Sequence, residues 1–223
     1  MATMTVVVAS FAQATIYTGG SPSTTGVVPD GSPVGLASAI EVNTGGDSSL
    51  INGVEVTLHL TGGFNGDLYG YLVNPNGNMA VLLNRVGQTG GNFGYSDAGM
   101  NVILSDAGMP GVTLAGDIHT YGAGDIASGT TAWRPDNGGT DFTGLQNGSA
   151  NGSWTLFLAD LSGGEQSSLV SWGLTVSVVP EPVTWALFLF AAMVALVGLG
   201  VMMRGRSGVS KLPGKIIAWM NAV

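Results

Sequence analysis

NGSWTLFLADLSGGEQSSLVSWGLTVSV, residues 151–178, is the stretch from which the fold is read. Trp154, Leu156 and Leu158 alternate with Thr155, Phe157 and Ala159; beyond Gly163-Gly164, Val170, Trp172, Leu174, Val176 and Val178 alternate with Ser171, Gly173, Thr175 and Ser177. A period of two is that of an extended chain, whose successive side chains point to opposite faces, so both runs read as half-buried strands. The same logic holds in 54–60, where Val54, Val56, Leu58 and Leu60 share a face opposite Glu55, Thr57 and His59. It holds again in 67–73, with Leu68 and Leu72 opposite Tyr69, Tyr71 and Val73. Gly-Gly pairs at 19–20, 45–46, 62–63, 90–91, 138–139 and 163–164 punctuate the chain, mostly between such runs, and supply the positive φ that hairpin turns require. No segment before residue 183 has a helical period. These features predict an all-β fold of eight or nine short strands, a jelly roll or β-sandwich, with 108–150 mostly loops carrying one or two edge strands.

Composition narrows the function. Lys+Arg 6 against Asp+Glu 14 leaves a formal net charge of −8, and only 9% of residues are charged. Nucleic-acid binding needs clustered Lys and Arg to displace counterions, so that class is excluded. With no cysteine, disulfides, thiolate metal sites and Cys nucleophiles are excluded as well. Residues 15–182 suffice for one domain with a sizeable core.

The charge is polarised. All 14 acids lie at or before Glu181, whereas Arg204, Arg206, Lys211 and Lys215 follow it. Between them, residues 183–203 read VTWALFLFAAMVALVGLGVMM, without a charge. As a helix this run is about 31 Å long, the thickness of a bilayer core, which predicts one C-terminal transmembrane helix. Arg204 and Arg206 set the cytoplasmic side, Trp185 suits the opposite interface, and 207–223 reads as a cytoplasmic tail. The acidic part is then exported. At the start, Val6, Val7, Val8 and Ala9 precede Ala12-Gln13-Ala14, small residues of the kind signal peptidase accepts, so 1–14 reads as a signal peptide without a basic n-region. The alternative for TVVVAS, residues 5–10, is a first strand.

Two resemblances follow from these residues. FNGDLYGYLVNPNG (64–77) and NGSWTLFLADLSGGEQSSLVSWGLTV (151–176) resemble the first and last thirds of the P domain, or Homo B domain, which follows the catalytic domain of proprotein convertases and some bacterial subtilisin-like proteases. The match rests on Gly66-Asp67-Leu68, Leu72, Pro75, Gly77, Gly152, Trp154, Leu156, Asp160, Leu169, Trp172 and Leu174, with NVILSDA (101–107) similar to a connecting strand. It implies a β jelly roll over 40–178, with 15–39 an extension before it and no protease domain. Val179-Pro180-Glu181-Pro182, the apolar run and Arg204-Gly205-Arg206 together resemble the PEP-CTERM sorting signal over 179–206. That resemblance implies a bacterial protein recognised in the membrane by an exosortase, cleaved, and delivered to the cell surface or its polysaccharide. Prolines at both flanks predict an extended, accessible tetrapeptide.

Catalysis finds little support. A serine hydrolase needs a base beside its nucleophile, and the chain offers only His59 and His119, expected as solvated side chains, with no G-x-S-x-G turn. No P-loop or Rossmann fingerprint is present. Calcium is the one cofactor to carry: Asp67, Asp97, Asp106 and Asp160 lie at or near strand ends, and the P-domain resemblance implies calcium-holding loops, although solvated turn aspartates explain the same pattern. The expectation is a non-catalytic, exported surface module with a binding or structural role. The alternative is an accessory domain assisting a separate subtilisin-like protease.

Overall fold

The computed structural model describes residues 13–122, 125–136, 138, 140–180 and 182–206, with side chains described to 180 and again over 188–200. Among the described residues the alternating runs become eleven strands: β1 Thr15–Thr18, β2 Gly26–Val27, β3 Ser32–Val42, β4 Leu50–Gly62, β5 Leu68–Val73, β6 Met79–Asn84, β7 Met100–Ser105, β8 Leu114–Asp117, β9 Ala132–Arg134, β10 Gly152–Asp160 and β11 Ser167–Val179. One helix, α1, runs Pro182–Arg206. The chain divides into two units at 180/181.

In the first unit the strands form two sheets. A seven-stranded sheet has the order β1-β11-β4-β7-β9-β8, with β2 also on β11; a four-stranded sheet has the order β3-β10-β5-β6. Apolar residues of both meet in one core: Val54, Val56, Leu58, Leu60, Val102, Leu104, Trp172, Leu174 and Val176 from the larger sheet, Ile40, Val42, Leu68, Leu72, Trp154, Leu156 and Leu158 from the smaller. This is a β-sandwich, as the alternation predicts. Its sheets are tied by a buried polar chain: the Trp172 indole donates to Ser38 Oγ on β3 at 2.8 Å, and that hydroxyl donates to the Thr24 carbonyl at 2.6 Å.

Several expectations change. The segment 151–178 does not close as a hairpin, because β10 lies in the small sheet and β11 in the large one, so 161–166 arches between sheets. Glycine pairs permit either outcome, and the faces to be buried decide. A true hairpin is β5–β6, turned by Asn74-Pro75-Asn76-Gly77: the Asn74 side chain accepts from the Asn76 and Asn78 amides at 3.0 and 2.9 Å, and Gly77 takes φ 81°. The alternation in β11 carries a bulge: Leu169 pairs with Leu60 and Ser171 with His59, which leaves Val170 extra and 46% exposed rather than on the core face. Residues 15–39, expected outside the domain, supply β1, β2 and most of β3, which pairs with β10 from Ser32 to Val42. Nor is the larger sheet wholly antiparallel, since β9 runs parallel to both β7 and β8.

In the second unit α1 starts at Pro182, where a missing N–H costs nothing in the first helical turn. Pro182 is thus helical rather than part of an extended spacer. Among the described residues no helix is long and apolar enough to cross a membrane. Over 188–200, Phe188, Leu189, Phe190, Met193, Val194, Leu196, Val197 and Leu199 are each more than half exposed. Residues 1–12 of the expected signal peptide, including the alternative strand 5–10, lie outside the described residues, as do Glu181 and the tail 207–223.

Candidate functional site

The outer face of the larger sheet carries a polar groove. Where β11, β4 and β7 run side by side, Ser171 pairs with His59 and His59 with Asn101, which sets three polar side chains in a row across three strands. Their neighbours Leu58, Leu60, Val102 and Trp172 point the other way, into the core. The bulge at Val170 lets Leu169 and Trp172 both face the core, with Val170 and Ser171 left on the outer face. One wall is the loop 126–129, held to the edge of β7 by hydrogen bonds from Asn101 N to the Ile126 carbonyl (2.6 Å) and from Gly129 N to the Asn101 carbonyl (2.8 Å). The other is 97–99, fixed by the Gly99 amide donating to the Gly62 carbonyl at 3.1 Å. Gly129 has φ 65°, and a Cβ there would lie 2.7 Å from the Asn101 amide, so glycine keeps the floor open.

Two cavities of about 440 and 260 Å³ share His59 and Asn101 and form one continuous depression, with Asp97 at one end and Thr57 and Ser128 at the other. The side chains of Thr57, His59, Asn101 and Ser171 make no hydrogen bond within the protein among the described residues. Among the described residues no lysine or arginine lines it. Arg85 faces Asp67 at 3.7 Å and Arg134 faces Asp141 at 3.4 Å.

His119 is not the solvated loop residue expected. Its Nδ1 meets Asp136 Oδ2 at 2.7 Å and its Nε2 meets the Gln88 carbonyl at 3.0 Å, while its backbone amide donates to Asp117 Oδ1. Asp136 also accepts from the Asn84 amide. Burial of the ring opposes its charge, but the Asp136 carboxylate and the Gln88 carbonyl outweigh it, and the imidazole is held above its ordinary range. Burial pushes the Asp136 carboxyl upward against the pull of His119. We take the pair as imidazolium and carboxylate, because both ring nitrogens face acceptors. An imidazole whose two nitrogens are both engaged in this way braces three loops and leaves none for a serine.

The four aspartates considered for calcium do not assemble. Asp106 is almost fully buried and accepts from the Gly108 amide at 2.9 Å and the Val54 amide at 3.4 Å, a structural turn; burial raises its pKa. Asp97 lies on the groove, its carbonyl accepting from the Asn65 amide. Asp67 and Asp160 share a neighbourhood: Asp67 ends the 3-10 turn Asn65–Asp67, and its carbonyl accepts from the Leu161 amide. Asp160 is wholly buried beside Ser167, and although the Ser167 hydroxyl and the Ser162 amide lie near enough to favour its ionised form, neither carboxylate oxygen has a partner of good hydrogen-bond geometry among the described residues. Burial raises the Asp160 pKa, with Asp30 and Asp67 adding repulsion. Buried carboxylate oxygens suit a hard cation, but the Arg85 guanidinium beside Asp67 does not, and among the described residues no three His, Asp or Glu side chains gather as a metal-holding group. The set therefore does not fit one calcium site.

Of the sorting residues, Val179 ends β11, Pro180 follows it, and Pro182, Arg204 and Arg206 fall in α1. Asn101, Ser171 and Asp136 went unnoticed in the sequence. The outward phase of the first two was legible, but their adjacency to His59 depends on register between strands far apart in the chain.

No protein-family model matches the chain, and no curated protein sequence matches it. Among solved structures, the chain is similar to one in the crystal structure of the Aeromonas sobria serine protease (ASP) and chaperone (ORF2) complex, at 16% identity and a TM-score of 0.45, over 78% of this chain and 28% of that one. A crystal structure of the serine protease of Aeromonas sobria matches at 15% identity and a TM-score of 0.40, over 74% of this chain and 27% of that one. The matched region is less than a third of either neighbour's length.

Proposed function

We propose that the chain is an exported, surface-displayed binding module of a bacterium, without catalytic chemistry of its own, carried to the envelope by its C-terminal segment. The observation that carries this reading is the order Val179-Pro180-Glu181-Pro182, then the uncharged run 183–203, then Arg204 and Arg206. Read from the sequence alone the uncharged run would be about 31 Å as a helix, the thickness of a bilayer core, although the described part of α1 falls short of a membrane span; its apolar side chains over 188–200 are exposed. The arginines orient it and the Pro-Glu-Pro offers an exosortase-like enzyme its recognition sequence. A non-catalytic role is supported by His119, whose ring is engaged on both sides, and by the His59 ring, which is hydrogen-bonded to no hydroxyl among the described residues. No cofactor is required.

A second reading, an accessory domain for a separate subtilisin-like protease, is favoured by the resemblance of 64–77 and 151–176 to a P domain. One experiment separates the two: the chain is expressed in cells with an exosortase, the surface fraction isolated, and its bound proteins identified. A processed chain at the surface without a stoichiometric protease supports the binding module; a subtilisin-like enzyme retained at one-to-one supports the accessory. Glu181→Ala should block conversion while the apolar run still inserts. Retention of wild-type chain in the cytoplasm would sink both readings.

A further inference from the structure

We propose that the groove across Ser171, His59 and Asn101 binds a segment of a neutral polysaccharide; as the ligand of a surface module, this rests on the reading above. The lining offers hydroxyls at Thr57, Ser128 and Ser171, an amide at Asn101, an imidazole at His59 and a carboxylate at Asp97. These groups both donate and accept, as sugar hydroxyls do. Four of them, at Thr57, His59, Asn101 and Ser171, spend nothing on the protein itself, so their hydrogen-bonding capacity is turned to the groove. A row of unspent polar groups on an otherwise well-satisfied sheet is available to a ligand without breaking any internal bond.

Charge restricts the class. Among the described residues neither Arg85 nor Arg134 lines the groove whereas Asp97 does, so phosphorylated, sulfated and uronic chains meet a carboxylate with no lysine or arginine beside it. Shape restricts it further. The depression is open and runs across the strands over about 440 plus 260 Å³, which suits several consecutive sugar rings better than an enclosed monosaccharide. An extended peptide would instead seek a strand edge, and the groove lies over the sheet face. Gly129 and Gly173 keep it clear: a Cβ at the first would press on the Asn101 amide and at the second on Thr57 Oγ1.

The test uses the full chain in a detergent without a sugar headgroup. Hexasaccharides of β-1,3-glucan, β-1,4-glucan, mannan and xylan are titrated, with hexagalacturonate as the anionic control, while the His59 ring and Asn101 side-chain amide resonances are followed. At least one neutral oligomer should shift both sets of signals, and hexagalacturonate should not. His59→Ala and Asn101→Ala should each weaken binding roughly five- to tenfold, the effect of losing one or two hydrogen bonds. Tyr71→Ala, on the outer face of the opposite sheet, should leave Kd unchanged. The proposal is overturned when no neutral oligomer moves the His59 and Asn101 signals, when hexagalacturonate binds as well, or when both variants bind like wild type. The wild-type shifts decide even where a variant fails to fold. Failed sugar binding with the chain correctly at the surface would sink this inference alone, whereas cytoplasmic retention with intact sugar binding would sink the display reading alone.

Discussion

Trp172 shows how single polar atoms hold the sandwich together. Its indole N–H is buried with Ser38 Oγ as acceptor, so Ser38→Ala strands a donor in the core. An orphaned buried donor costs about 1–3 kcal/mol, and the urea unfolding midpoint should fall accordingly. A midpoint equal to wild type would mean that water reaches the indole. His119 gives a pH signature. Its folded pKa is raised, so its contribution is complete below the ordinary histidine value of about 6.5 and is lost as pH rises through the higher folded value. Between pH 6 and 8 the melting temperature should therefore decline, and His119→Gln should flatten that decline, which thermal melts across the range would reveal. Asp160 has the opposite chemistry. A buried carboxyl with a raised pKa destabilises once ionised, so stability falls as pH rises from the ordinary aspartate value of about 3.9 through the folded one. Asp160→Asn should then raise the melting temperature at pH 7. The same melts with calcium and with chelator test the Asp67–Asp160 neighbourhood as a cation site: a calcium-dependent rise abolished by Asp160→Asn would establish one.

Elements were legible where the pattern was local. The period-two runs at 54–60 and 67–73 lie within β4 and β5 almost residue for residue, because one face of each is buried and the other is not. Two things escaped. Val170 looks like a core position by phase alone, but the bulge puts Leu169 inward and Val170 outward, and nothing in SSLVSWG distinguishes the two phases without the partner strand. The glycine pair at 163–164 looks like a hairpin turn and serves an arch, since the same positive φ allows both. The groove went unread for the same reason: His59, Asn101 and Ser171 meet through register across three strands, two of them more than a hundred residues apart. The bulge yields a direct comparison. Deleting Val170 keeps every pairing of β11 with β4, whereas deleting Thr175 moves either Leu174 or Val176 off the core face. The second deletion should cost at least the about 1.5–3 kcal/mol of one buried aliphatic side chain, and the first clearly less, as read by urea unfolding. Equal losses would contradict the register.

At the scale of the whole chain, the fold and the proposed address draw on different parts of the sequence. The two-sheet unit buries its own core, with Trp154 and Phe142 fully enclosed. The proposed address rests on 179–206, where acid gives way to an uncharged run and then to base. That proposal rests on local composition rather than on long-range pairing, and the described part of α1 does not by itself amount to a membrane span. A groove with spare hydrogen-bonding groups is of use to a surface module only when the unit is delivered outside, so delivery is the claim on which the rest depends. Intact-mass spectrometry of the surface fraction, from cells that carry an exosortase, tests it most directly. The account predicts a chain ending near Pro180–Pro182, without the apolar run. A chain ending at Val223 in that fraction, or its absence from the surface altogether, would contradict it.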